Sequence, residues 1–214
     1  MAVKIPVKVK VCGVTDPANA RAAVEMGADY LGLNFYPGSP RFVTVQRALE
    51  IAAEVAGRAP LVGVFVDAPA PEVEEIAGRV GLDLVQLSGG ERPEYAAPFA
   101  GRAIKAFRTG GLPPRAELEA WSEVWGVLID APHDTLYGGT GEAWDYGAVD
   151  GMDGRRLFLA GGIGPGNARR AVAAAPYAID VCSRVESAPG IKDLELLRRL
   201  FEEVRHGETQ TPSE

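Results

Sequence analysis

The sequence predicts a single-domain α/β fold, a closed (β/α)8 TIM barrel with short loops. Three observations carry that prediction. Short runs rich in Val, Ile and Leu recur eight times in 214 residues, at 7–12, 30–35, 61–66, 82–87, 102–107, 124–130, 156–161 and 177–182. Between most of them the apolar residues take helical spacing, and strands alternating with helices specify a parallel sheet. No linker-like stretch divides the chain, and eight units in so modest a length favour a closed barrel over an open doubly wound sheet. Such barrels typically run to about 250 residues, so the loops must be short. The barrel is expected over residues 1–206, with 207–214 as a disordered tail.

Each helix can be justified in turn. DPANARAAVEMGA follows the first strand, with Asp16 as N-cap and Pro17 in the first turn. The same spacing places helices over 44–57, 70–81, 166–175 and 192–205. GERPEYAAPFA (90–100) is a weaker helix and LPPRAELEAW (112–121) a short one. The stretch after the sixth strand, 131–149, is loop-rich.

Alternation assigns the strand faces. Apolar residues must meet the helix layer, so alternate residues point into the barrel. Val7, Val9 and Val11 face out, leaving Lys8, Lys10 and Cys12 inside. Val85 and Leu87 face out, with Gln86 and Ser88 inside. Trp125, Val127 and Ile129 face out, with Gly126, Leu128 and Asp130 inside. Ile179 and Val181 face out, with Asp180 and Cys182 inside. Cys12 and Asp130 thus end their strands at the C-terminal rim, where active sites of such barrels are built. Lys10, Lys105 and Asp180 fall one layer deeper and must neutralise one another, because buried charges need partners. The first and eighth strands adjoin on closure, which singles out a Lys10–Asp180 pair.

Composition narrows the function. The chain is 47% hydrophobic with a formal net charge of −7, a globular composition that argues against a general nucleic-acid binder. Two cysteines without CxxC spacing make no disulfide framework and fit a reduced, cytoplasmic protein. The two histidines, His133 and His206, lack metal-ligand spacing, so no metal and no cofactor is expected. No run approaches the length of a membrane span, and the N-terminus lacks a signal-peptide core. Arginine outnumbers lysine and proline is plentiful, which fits a heat-adapted or GC-rich source.

Several positions have both an ordinary and a chemical reading. A lone strand cysteine is most often a small core residue; the rim position and Lys10 below it favour a thiolate at Cys12. Asp130 is either an Asx-turn residue or an acid whose pKa an apolar rim raises. LAGGIGPGNA (159–168) is a glycine turn before a helix, and CSRVESAPG (182–190) ends the next strand. In such barrels phosphate sits between the loops after strands seven and eight, so the two turns together point to a phosphate seat. Arg41, between Pro40 and Phe42, is either solvated or holds a carboxylate through its planar fork. The loop YGGTGEAWDY (137–146) is either an ordinary long loop or a flap over an apolar substrate.

Taken together, VKVCGVTD, GADYLGLNFYPGSPRFV, LVGVFVD, VQLSG, LIDAPHDTLYGGTGEAWDY, LAGGIGPGNA and IDVCSRVESAPGIKD resemble the phosphoribosylanthranilate isomerase family, in family order and over nearly the whole chain. The resemblance implies the Amadori rearrangement of N-(5-phosphoribosyl)anthranilate in tryptophan biosynthesis. It implies Cys12 as general base and Asp130 as general acid. Arg41 would hold the anthranilate carboxylate, and Gly161, Gly162 and Ser183 the phosphate, with Gln86 and Arg184 in the substrate-binding set. The expected partner is this small phosphosugar substrate, with no nucleic acid or membrane, and the chain a monomer or homodimer. Two departures stand out: Ser88 occupies a position where many members have histidine, and the usual serine-serine-glycine-valine-glutamate run reads Cys182-Ser183-Arg184-Val185-Glu186. Arg184 either strains a turn built for positive φ or keeps the backbone donor and adds a cation. The alternatives are a histidine-pathway aminoaldose isomerase, expected to use two carboxylates; a metal-dependent epimerase, which rim histidines would mark; and a non-catalytic phosphate-ligand barrel.

Overall fold

The computed structural model describes residues 6–108, 112–130 and 156–209. Eight parallel strands close into a barrel: β1 (Lys8–Cys12), β2 (Tyr30–Asn34), β3 (Leu61–Phe65), β4 (Leu84–Leu87), β5 (Ala103–Phe107), β6 (Gly126–Asp130), β7 (Arg156–Ala160) and β8 (Ala178–Val181). Every strand falls inside the run expected for it, and β8 returns to β1 through the register Lys10↔Asp180 and Val11↔Val181.

The described helices are α1 (Pro17–Met26), α2 (Val45–Val55), α3 (Ala70–Val80), α4 (Arg115–Ala120), α5 (Ala168–Ala173) and α6 (Leu194–Thr209). Asp16 caps α1 as expected, its side chain accepting from the Asn19 N–H at 2.8 Å. The segment Pro93–Phe99 is a 3-10 helix, since Pro98 lacks the N–H that an α-helix needs there. Helix α6 runs past the expected boundary at 206 to Thr209; its buried face of Leu197, Leu200, Phe201 and Val204 anchors it on α1 and α5. A small hairpin, β9 (Glu186–Ala188) with β10 (Ile191–Lys192), follows β8 where the sequence predicts a turn over 182–190 and a helix from 192.

Two apolar cores follow the alternation. Val9, Val11, Val85, Leu87, Val127, Ile129, Ile179 and Val181 pack against the helices. Tyr30, Val62, Leu84, Ile104, Ala106, Leu128 and Phe158 fill the barrel. Three assignments are corrected. Trp125 belongs with the barrel interior: it lies just before β6 and closes the N-terminal mouth with Tyr30, Phe158 and Tyr177. Lys8 holds the interior parity but its ammonium turns to Asp29 at 3.1 Å. Lys105 points outward, because Ile104 and Ala106 hold the interior; its ammonium meets Glu91 at 2.7 Å and lies over the Trp121 ring. A charged residue in a strand is therefore not necessarily an inward one. A helix-side carboxylate serves equally well as partner.

Candidate active site

The C-terminal strand ends surround a cavity of about 280 Å³. Cys12, Arg41, Gln86, Ser88, Asp130, Asp180, Gly161, Gly162 and Ser183 all border it. The structure thus brings together every expected site residue except Arg184. His133 and the loop 137–146 lie outside the described residues.

Cys12 ends β1, and the chain must leave the strand without covering its thiol. Gly13 turns it away at φ +68°; a side chain there would also strike Arg41 Cδ at 2.5 Å and Cys182 Sγ at 3.1 Å. Across the sheet Cys12 pairs with Gly32, where a Cβ would lie 2.6 Å from Cys12 Sγ. Glycine on both sides gives the thiol its space. A hydrogen bond from the Cys182 thiol lowers the Cys12 pKa well below the ordinary thiol value; burial opposes this, and Lys10 and Lys192 add to it. Cys182 is pushed up correspondingly, first by that hydrogen bond and then by burial.

Beneath them lies the expected ion pair. Lys10 Nζ and Asp180 Oδ1 are 2.8 Å apart, with the Lys10 side chain fully enclosed. Burial pulls Lys10 down, but Asp180 and Cys12 more than reverse it, and its pKa is raised overall. Burial raises Asp180 to about 7 against the opposing pull of Lys10. Lys105 takes no part in this cluster, having turned to Glu91.

Arg41 presents its fork to a protein carboxylate. Its Nε donates to Glu186 Oε1 at 2.9 Å and its Nη2 to Oε2 at 2.6 Å. Lys192 Nζ also donates to Glu186 Oε1, at 2.7 Å, and to the Cys12 carbonyl at 2.6 Å. Burial pushes Glu186 up, but Arg41 and Lys192 outweigh it and hold its pKa below the usual value. The sequence reading singles out neither Glu186 nor Lys192, because Glu186 falls in the stretch 182–190 expected as a turn and Lys192 at the start of the helix expected over 192–205. Arg108 was missed as well. It borders the cavity one residue beyond β5, and the alternation that put Ala106 inside would have found it.

Gln86 donates through Nε2 to Ser88 Oγ at 3.0 Å, and its Oε1 is buried without a partner among the described residues. On the far side Gly161 and Gly162 have φ of 101° and 59°, which glycine enters without strain. Asn167 braces the turn, accepting from the Gly164 N–H at 2.9 Å and donating to the Gly162 carbonyl at 3.0 Å. Arg184 lies in the short 3-10 turn Ser183–Val185 and is not among the described residues of positive φ, so the strain reading does not hold. Its Cβ packs on Gly164, where a side chain would meet it at 2.4 Å.

No group of acidic, histidine or cysteine side chains among the described residues could hold a metal ion, and none of their helices is long and apolar enough to cross a membrane. Residues 9–203 match the family model described as N-(5'phosphoribosyl)anthranilate (PRA) isomerase. A protein of Citrifermentans bemidjiense named N-(5'-phosphoribosyl)anthranilate isomerase is 44% identical over 200 residues, 92% of this chain and 97% of its own. The crystal structure of the phosphoribosyl anthranilate isomerase from Thermus thermophilus superposes with TM-score 0.80 at 37% identity, covering 94% of this chain and 99% of that one. Another such isomerase, solved in complex with reduced 1-(o-carboxyphenylamino)-1-deoxyribulose 5-phosphate, gives TM-score 0.79 at 32% identity, with the same coverage. With this barrel, this rim and these relatives, the chain belongs to the phosphoribosylanthranilate isomerase family of tryptophan biosynthesis.

Proposed function

We propose that Cys12 is the general base and Asp130 the general acid of the family's reaction. That reaction is the rearrangement of N-(5-phosphoribosyl)anthranilate to 1-(2-carboxyphenylamino)-1-deoxyribulose 5-phosphate. The supporting observation is that Cys12 and Asp130 end β1 and β6 on one cavity, with Cys12 held towards its thiolate. Asp130 protonates the furanose ring oxygen, and the ring opens to an imine. The Cys12 thiolate then takes the proton from the second sugar carbon. The resulting enolamine tautomerises to the ketone. Hydrogen is redistributed within one molecule, so acid–base groups suffice.

The remaining residues bind. Gly161, Gly162 and Ser183 seat the phosphate, with Arg184 behind the turn adding positive charge at its edge. The Nη1 donors of Arg41 meet the anthranilate carboxylate while Glu186 fixes its other edge. The unpartnered Gln86 Oε1 accepts from a substrate hydroxyl or the anilino N–H. The enzyme works in the cytoplasm, as a monomer or homodimer, without a metal or cofactor.

Freshly made phosphoribosylanthranilate is fluorescent, and its catalysed loss tests the reading. The protein accelerates that loss, while Cys12→Ala and Asp130→Asn lower kcat about 10²- to 10⁴-fold with little change in binding. Substantial activity in Cys12→Ala would return the thiol to core packing.

A further inference from the structure

We infer that Cys182 is a positioning residue for the reaction: its thiol donates to the Cys12 sulfur and keeps Cys12 in the form that takes up a proton. The inference rests on Cys12 being the base. Its geometry comes from the sheet. Val11 and Val181 are partners in the β1–β8 ladder, so the next residues on each strand, Cys12 and Cys182, emerge side by side at the rim. Both border the same cavity. Gly13 follows Cys12, and a side chain there would meet Cys182 Sγ at 3.1 Å.

Lys192 acts on both sulfurs and Arg41 on Cys182, so Lys10 beneath Cys12 and Glu186 beside Cys182 are the charges that tell the two apart. Cys12 sits above the Lys10 ammonium, and its carbonyl receives Lys192 Nζ at 2.6 Å. Cys182 Sγ lies 3.9 Å from Glu186 Oε1. That carboxylate carries negative charge beside Cys182, which disfavours a second one there. It already accepts from Arg41, Lys192 and Gly190, and its contact with the Cys182 sulfur is long. The Cys182 proton is therefore better used on Cys12. The other charged groups around the pair are Asp180, held by Lys10, with Asp130 acting on it from β6, and Arg41 beside Cys182. Serine is usual at this position in the family's run. A hydroxyl can make the same donation, so cysteine here keeps the function with a softer donor.

The chain has two cysteines, so in any Cys182 variant Cys12 is the sole thiol. Its rate of alkylation by iodoacetamide as a function of pH then reads its ionisation without reference to activity. In Cys182→Ala the alkylation curve and the acid limb of kcat/KM should move together to higher pH. On the acid side kcat/KM should fall about tenfold, as for one lost hydrogen bond to a charged group, with the plateau at high pH retained. Cys182→Ser should restore both curves. An unmoved alkylation curve in Cys182→Ala overturns the inference, and so does a fall in kcat/KM at every pH without movement of that curve, which marks a packing role. If the alanine variant does not fold, a serine variant whose curve has moved to higher pH overturns it as well. Movement of the alkylation curve without the kinetic limb removes Cys12 as base, and the role of Cys182 in the reaction with it.

Discussion

The Arg41 guanidinium closes on the Glu186 carboxylate through two of its nitrogens, at 2.6 to 3.0 Å. The arginine proposed to bind the substrate carboxylate is thus itself held by a carboxylate. The same Glu186 accepts from Lys192, whose ammonium reaches the Cys12 carbonyl. One acidic side chain ties the expected aryl-acid clamp to the strand end that carries the expected base.

Glu186→Gln keeps the shape but removes the charge. It should raise KM about tenfold, through a loosened Arg41, while kcat changes less. Because Glu186 has a lowered pKa in the fold, its stabilising pairs are present above the ordinary carboxylate range and are lost as pH falls through that lowered value. The glutamine variant has no such titration, so its melting-temperature deficit against the parent should narrow on acidification. A constant deficit, with KM unchanged, would confine Glu186 to scaffolding remote from Arg41.

Gln86 offers a separation of stability from function. Its Oε1 is buried without a partner among the described residues, and an unsatisfied buried acceptor costs about 1–3 kcal/mol. Gln86→Met should leave the melting temperature unchanged or raise it, yet weaken substrate binding. Thermal melts and KM measured side by side decide this. A lowered melting temperature with unchanged KM would mean the amide serves the fold alone.

The Lys10–Asp180 pair is asymmetric. Asp180 has a pKa of about 7 and can escape an unpaired state by taking a proton. Lys10, fully enclosed, is held charged by Asp180 and Cys12 against the pull of burial. Asp180→Asn removes one of these two anions and should destabilise by up to about 3–5 kcal/mol at neutral pH. Lys10→Met should cost clearly less at acidic pH than at alkaline pH. Denaturant melts of both variants across that range test the ordering, and equal losses at all pH values would contradict it.

Arg184→Gly bears on the turn beside the phosphate seat. With Arg184 outside the left-handed region, glycine relieves no strain and adds freedom to the unfolded chain. The variant should be less stable by about 0.4–1 kcal/mol, with KM raised modestly and more so at low salt, as for a partly exposed charge. A higher melting temperature would contradict this account.

Most of the barrel was legible because period-2 alternation and capped helices are local signals. Cys12, Asp130 and the Lys10–Asp180 pair followed from alternation plus closure of β8 onto β1. The same rule fails at Lys105, where the charge suggests the interior although Ile104 and Ala106 occupy it. It failed at Trp125 because parity says nothing of a ring just outside the ladder. Glu186 and Lys192 were illegible for another reason. Their hairpin is five residues of backbone pairing with a bulge-like register shift, too short to show a period. Their partners Arg41 and Cys12 lie about 145 and 180 positions away in the chain.

The aromatic cluster of Tyr30, Trp125, Phe158 and Tyr177 stoppers the end of the barrel opposite the catalytic rim, with the two tyrosine hydroxyls 2.7 Å apart. Among the described residues the vessel consequently opens at one end. A substrate cannot arrive by one opening while its product departs by the other, so turnover is strictly sequential occupancy of one chamber. Product then competes with substrate for entry at the same rim.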